Sequence, residues 1–403
     1  MAQTKKKLNR ENEGLHAPLT CRPPTYFRVL RNGLFLGVGA AMAMVLYTVY
    51  WFYIATNLKT GVSNWVNERA KQGIHASYKK IEISGFPGDF RVRLRQPKMR
   101  TAELTSDTSG DRWNWSATTA VAAMTPWNFA KFKIDLSGNH QFSLASETGR
   151  RNYTGSAKKM IIHAVLGSDG LPREATLNIE GLDLTDGRTR AKIATKSAVI
   201  NVRHLSSGKD TDSDVSLKDK EKSPSFAAEA MFADVRIPKY MNLPLGHRIS
   251  QLVMELKIIG SVPELKTLED LQQWRDDGGT VEFDILEIKY GPLYMRANGT
   301  LALDEAMQPM GAITAKIKGF FATIDALRGA RLIRSSDAAM AKMVLGALSK
   351  RSPGGGQPTI SLPLSVQNSQ LQAGLVSMMK IPPIDWPALG LAPARREQFK
   401  ILR

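Results

Sequence analysis

Between Arg31 and Lys59 the chain carries no charged residue, and this run constrains the fold more than any other feature. Its centre, Gly33 to Thr56, would extend about 36 Å as an α-helix at roughly 1.5 Å per residue. The hydrocarbon core of a bilayer is about 30 Å thick. Tyr47, Tyr50, Trp51, Phe52 and Tyr53 gather towards the end of the run, where amphipathic rings suit a membrane–water interface. A cleaved export signal has a shorter apolar stretch, roughly 7–15 residues, that ends in a small-x-small site. Here Ala41-Met42-Ala43 lies in mid-run. The spacing predicts a single transmembrane helix over 33–56 that stays in the mature chain.

Flanking charge sets the expected orientation. Residues 1–32 form a basic tail, with Lys5, Lys6, Lys7, Arg10, Arg22, Arg28 and Arg31 against Glu11 and Glu13. The positive-inside rule keeps that end in the cytoplasm and exports everything after Lys59. Over the whole chain 55 Lys and Arg face 37 Asp and Glu, a net of +18. Because most of this excess is exported, it points to anionic surfaces and away from nucleic acid. Cys21 is the only cysteine, so neither a disulfide scaffold nor a cysteine-based zinc cluster is expected.

Beyond the apolar run, Val62, Trp65, Val66, Arg69 and Ala70 keep helical spacing up to Gly73, predicting a juxtamembrane helix over 57–73. From Ile74 the period changes to two. Phe90, Val92 and Leu94 alternate with Arg91, Arg93 and Arg95, and Ile81 and Ile83 precede a turn at Gly85-Phe86-Pro87-Gly88-Asp89. That is a β-hairpin with one buried face. The pattern apolar-x-apolar-x-glycine recurs, ending at Gly85, Gly138, Gly181, Gly260 and Gly319. Each marks a strand with a turn, bulge or bend at its glycine. The intervals are irregular, which argues against a solenoid and for hairpins laid side by side. The expected fold is mainly β with a few helices. It has long curved antiparallel sheets, groove-like or sandwich-like, behind one N-terminal transmembrane helix.

A polar stretch at 206–224 separates a first β-rich half, 74–205, from a second, 225–380, and a Pro-rich basic tail follows at 381–403. Within the second half, Thr267 and Asp270 have capping-box spacing, Leu268 and Leu271 give an apolar side, and Gly278-Gly279 ends the helix. Strands are expected at Val281–Tyr290, Leu293–Leu303 and Ile313–Gly319. Met340, Met343, Val344, Ala347 and Leu348 then fall at helical spacing behind Ser335-Ser336-Asp337, which reads as an amphipathic helix packing into the core.

Candidate chemistry is sparse. No phosphate-binding loop, nucleophile elbow or paired-histidine metal motif is present, so no catalytic residue and no cofactor is assigned. Asp210, Asp212, Asp214 and Glu221 have the spacing of a calcium loop, but Val215 replaces the turn glycine and lysines interleave the carboxylates. An acidic solvated linker is the preferred reading. Arg91, Arg93 and Arg95 form the densest basic patch outside the tail, either a contact for anionic headgroups or an ordinary solvated sheet face. Trp113 and Trp115 are candidates for contact with an amphiphile, against a default reading of Trp113, Trp115 and Trp127 as core aromatics.

Gly85-Phe86-Pro87, Trp113 with Pro126-Trp127, the strand Gly299-Thr300-Leu301-Ala302-Leu303-Asp304 followed by Gly311, and Leu362-Pro363-Leu364 resemble an uncharacterised family of anchored bacterial envelope proteins, domain of unknown function 2125. More distantly, the Gly-x-Leu-x-Leu-Asp strand is similar to those of AsmA-like envelope proteins. The resemblance implies a protein of the bacterial inner membrane with its main domain in the periplasm. The expected function is non-catalytic binding of lipid or another envelope component. A periplasmic hydrolase whose site assembles only in the fold, or a scaffold of a membrane complex, would be the alternatives.

Overall fold

The structure is a computed structural model describing residues 25–71, 73–101, 112–146, 149–167, 172–205, 223–241, 243–261, 267–350, 356–373 and 376–386. Cys21, the calcium-loop candidates Asp210, Asp212, Asp214 and Glu221, and most of the C-terminal tail lie outside these residues. The chain forms two units, one up to Thr56 and one from Asn57 onward.

The first element is a helix, α1 (Thr25–Lys71), which runs without a break through both the predicted membrane segment and the juxtamembrane segment. From Leu34 it is long and apolar enough to cross a membrane. Leu36, Met44 and Val49 lie exposed along it. The Thr48 and Thr56 hydroxyls donate to the carbonyls of Met44 and Phe52 at 2.8 and 3.0 Å, so these polar side chains are satisfied within the helix itself. Gly73, with φ 78°, turns the chain out of the helix.

All the strands belong to one open antiparallel sheet. Its first eight strands are four long strands broken in the middle. They comprise β1 (Ile74–Ser77) with β2 (Lys80–Ser84), β3 (Phe90–Arg95) with β4 (Lys98–Thr101), β5 (Arg112–Ala117) with β6 (Thr119–Thr125), and β7 (Asn128–Asp135) with β8 (Gly138–Ser146). One set of halves pairs as β2, β3, β6, β7, the other as β1, β4, β5, β8. Both sets meet the same long strand, β9 (Gly149–Leu166). Backbone hydrogen bonds continue across the breaks, from Lys79 to Arg95, Gln96 to Thr118, Thr118 to Asn139 and Leu136 to Met160. The breaks are therefore a crease in one sheet.

From β9 onward each strand pairs with the next: β10 (Pro172–Asp186), β11 (Lys192–His204), β12 (Pro224–Arg236) and β13 (Arg248–Ile259). The crease extends into them. The pairing skips Gly181 in β10 and Asp234 in β12, whose φ angles are 60° and 53°. A residue turned to positive φ rotates its peptide out of the ladder and bends the strand there. β11 and β12 are direct neighbours, so the polar stretch at 206–224 connects two paired strands of the same sheet.

After β13 come α2 (Leu268–Asp276), β14 (Thr280–Tyr290), β15 (Leu293–Leu303), β16 (Pro309–Lys318), α3 (Phe320–Gly329), α4 (Ser335–Leu348), β17 (Thr359–Gln367), β18 (Gln370–Ala373) and β19 (Val376–Lys380). The expected capping box is formed. The Asp270 N–H donates to the Thr267 hydroxyl at 3.2 Å and the Thr267 N–H to the Asp270 carboxylate at 2.8 Å. All five glycines of the recurrent pattern take positive φ, from 60° at Gly181 to 116° at Gly85 and Gly138. At Gly319, between β16 and α3, a Cβ would lie 1.9 Å from the Pro292 carbonyl oxygen, so the close approach as well as the φ of 73° requires glycine.

Two expectations are corrected. The amphipathic helix is present as α4, but Met340, Met343, Val344 and Leu348 point outward and Ala338 is its buried residue. Its small-residue side, Ala338 with Gly346, serves the packing, and Gly346 lies against the Phe321 ring. Trp127 is no core aromatic either. It sits in the turn between β6 and β7, 77% exposed.

Candidate functional site

Paired residues of an antiparallel sheet share a face, so the register can be followed from strand to strand. One line of pairs begins Ile83, Val92, Ala122, Ile134, Ile162, Leu177 and Ile200. It continues Ala230, Met254, Leu286, Ala297, Ala315 and Leu362. Every position from β2 to β17 is apolar. Two residues further along the strands, or three across the bulge in β14, lies a second line, which includes Phe90, Met124, Phe132, Val202, Leu256, Phe283, Ile313 and Leu364 and passes through Gly299. These side chains are mostly only partly buried.

The reason is that little among the described residues covers them. Apart from Phe90, Val92, Ile161, Ile179, Ile360 and Val366, the buried apolar residues of the described strands are alanines, and larger buried groups sit at the helices and the turn carrying Met307. A sheet face normally buries its apolar side against a second layer. Among the described residues that layer is present only in places, and they leave the apolar face partly open.

One covered place closes an end of this face. Ile258, Val281 and Leu301 are paired across β13, β14 and β15, and over them lie Leu271 and Trp274 of α2 and Trp386 beyond β19. Together with Phe283, Leu303, Pro309 and Ile384 they line a cavity of about 250 Å³. The indole N–H of Trp274 donates to the Ile259 carbonyl at 3.0 Å, and that of Trp386 to the Met307 carbonyl at 2.7 Å. Both polar edges are thus satisfied by backbone, and the rings are left as apolar wall. The Gln308 side chain exchanges hydrogen bonds with the backbone of Ile384 at 2.7 and 3.2 Å, which fixes the segment carrying Trp386. Arg275 donates to the Asp304 carbonyl at 3.2 Å, tying α2 to the same turn. The cavity lining carries no ionisable side chain. It is smaller than most sites for a whole drug-sized ligand, which fill about 300–1,000 Å³.

The arginine patch lies on the opposite face, because Phe90 and Val92 are buried while Arg91, Arg93 and Arg95 alternate with them as exposed residues. Arg95 and Lys80 both pair with Glu82, at 3.1 and 3.0 Å, and these two cations hold its carboxyl below the ordinary glutamate value. Part of the patch is therefore engaged across the hairpin, Arg95 of β3 with Glu82 of β2. Trp113 and Trp115 are half-buried on β5, opposite Leu144 and Phe142 of β8. Trp115 stacks on buried His140, with centroids 6.1 Å apart, and burial lowers the affinity of that imidazole for a proton. The structure does not bring these tryptophans and the arginines into one site.

On the polar side of the sheet a hollow of about 440 Å³ collects Lys131, Lys133, His163, Glu174 and Asp89. Asp186, 1% exposed, ends β10. Its carboxylate accepts the N–H groups of Thr189 and Arg188 at 3.0 and 2.8 Å and is held low chiefly by the first of these bonds. This is a turn-forming role. Among the described residues no three His, Cys, Asp or Glu side chains form a group able to hold a metal ion.

Sequence reasoning found Leu271 as the apolar side of its helix but missed Trp274, Trp386 and the lines of paired apolar residues. Alternation revealed each strand's apolar side, but the pairing that joins those sides is a long-range property.

A family model described as "Uncharacterized protein conserved in bacteria (DUF2125)" matches residues 51–382. No curated protein and no solved structure matches the chain.

Proposed function

Since the chain belongs to the uncharacterised bacterial family DUF2125, we propose that it is an inner-membrane-anchored periplasmic protein that holds lipid acyl chains on its open apolar face, without catalysis. The observation carrying this reading is the unbroken line of apolar pairs from Ile83 to Leu362. Contiguous apolar surface on a soluble domain is unusual beyond a few hundred Å² and marks a binding surface. Acyl chains fit because the lines offer hydrophobic contact without directional polar groups. The cavity beneath Trp274 and Trp386 suits the end of one chain rather than a headgroup.

Mass spectrometry of lipid retained by the full-length protein, purified in mild detergent, tests this. Wild-type protein should carry lipid. A double substitution of half-buried residues on the apolar lines, Ile200→Glu with Met254→Glu, should remove most of it. Arg93→Glu on the opposite face should not. Equal lipid content in all three proteins, with unfolding transitions intact, would discard the proposal.

A further inference from the structure

A second apolar surface, made of other residues than the sheet face, lies on the helical pair between β16 and β17. In α4, Met340, Met343, Val344 and Leu348 are 68%, 76%, 48% and 59% exposed. Leu332, in the turn before α4, is 61% exposed. An amphipathic helix of a soluble domain turns such a stripe inward. Here the inward side is already occupied, by Ala338 and by the packing of Gly346 against Phe321 of α3.

The charges beside the stripe indicate what covers it. Between Phe320 and Lys350 the sequence carries Arg328, Arg331, Arg334, Lys342 and Lys350 against Asp325 and Asp337. Asp325 is engaged by Lys342 at 2.6 Å and Arg328 at 3.3 Å. Arg331 and Arg334 are exposed and have no ion-pair partner among the described residues. A second copy packed here about a twofold axis would set these cations against their equivalents. An anionic bilayer would neutralise them while receiving the methionine stripe, which is the chemistry of an interfacial helix.

We propose that the outer stripe of α4 docks on the anionic lipid surface of the membrane that holds this chain, with Met340, Met343, Val344 and Leu348 entering the acyl boundary and Arg331 and Arg334 on lipid phosphates. The tether provided by α1 favours that membrane over any other, because it makes docking intramolecular. The proposal goes beyond the lipid-holding role of the sheet and shares no residue with it.

The test uses the full chain with Cys21→Ser and a polarity-sensitive fluorophore on Met343→Cys, reconstituted in vesicles of phosphatidylcholine and phosphatidylglycerol. Expected are blue-shifted emission, quenching by nitroxide on lipid acyl chains, and protection from aqueous iodide. Arg331→Gln with Arg334→Gln should lower the docking equilibrium about 30-fold, from two basic contacts of ordinary strength near a charged leaflet. Both arginines are exposed, so unchanged thermal unfolding is expected alongside that loss. A probe open to iodide and silent to nitroxide overturns the proposal. So does equal docking on pure phosphatidylcholine, or disulfide formation between copies of the unlabelled Met343→Cys protein under a mild oxidant while the labelled protein shows no lipid quenching. Lipid retained on the sheet face is measured separately and is expected to be unaffected by these variants.

Discussion

At the scale of single residues, the tightest constraints are where backbone or ring leaves no space. A Cβ at Gly279 would lie 2.2 Å from the Trp274 ring, which is itself anchored to Ile259. Gly279→Ala should therefore overpack the end of the apolar face and cost about 1–3 kcal/mol, read from the denaturant midpoint. Asp186 gives a pH-dependent case. Its carboxyl is held below the ordinary 3.8 by the Thr189 and Arg188 N–H groups, so the folded state binds its proton less readily than the unfolded chain does. Its stabilisation should be full above that ordinary value and be lost as the pH falls through the lowered one. Asp186→Ala should accordingly lower the melting temperature at neutral pH, and the gap to wild type should narrow in strong acid. A constant gap would remove the ionised carboxylate from the explanation.

At the scale of elements, local pattern determined existence and type well. The hairpin of β2 and β3, the strands β14 and β15, and the capped helix α2 lie close to where alternation and capping chemistry place them. For α2 the cap is measurable. Thr267→Ala removes the acceptor of the Asp270 N–H and should cost about 0.5–2 kcal/mol, again from chemical denaturation. A change well below that range would mean that Trp274 and Leu271 hold the helix without its cap. Helix α4 shows the limit of the same reasoning. Its sequence has two narrow sides, one of methionine, valine and leucine and one containing Ala338 and Gly346, and the packing uses the second. Periodicity measures how a stripe is spaced and is silent on which stripe finds a neighbour. α3 went unread because its ten residues follow directly on a strand pattern, with Gly319 as the junction.

At the scale of the whole molecule, the apolar run from Gly33 to Thr56 supports the expectation that the chain remains membrane-bound after synthesis. Alkaline carbonate extraction should leave the full-length protein in the membrane pellet, and a reporter fused after Arg403 should be active only in the periplasm. Recovery of a soluble form beginning near Asn57 would identify the run as a cleaved signal instead. The sequence by itself determined the apolar helix, the β character, the turn and bend glycines and the alternating faces of Phe90 to Arg95, because each depends on neighbours within a few residues. Only the tertiary structure decided that the four broken strands bend along one crease, that β11 and β12 pair across the polar stretch, and that Ile83 and Leu362 belong to the same apolar line. Those are matters of register and coverage. Register depends on which strands meet, and coverage on whether a second layer arrives, and neither is encoded in the spacing of residues along one strand.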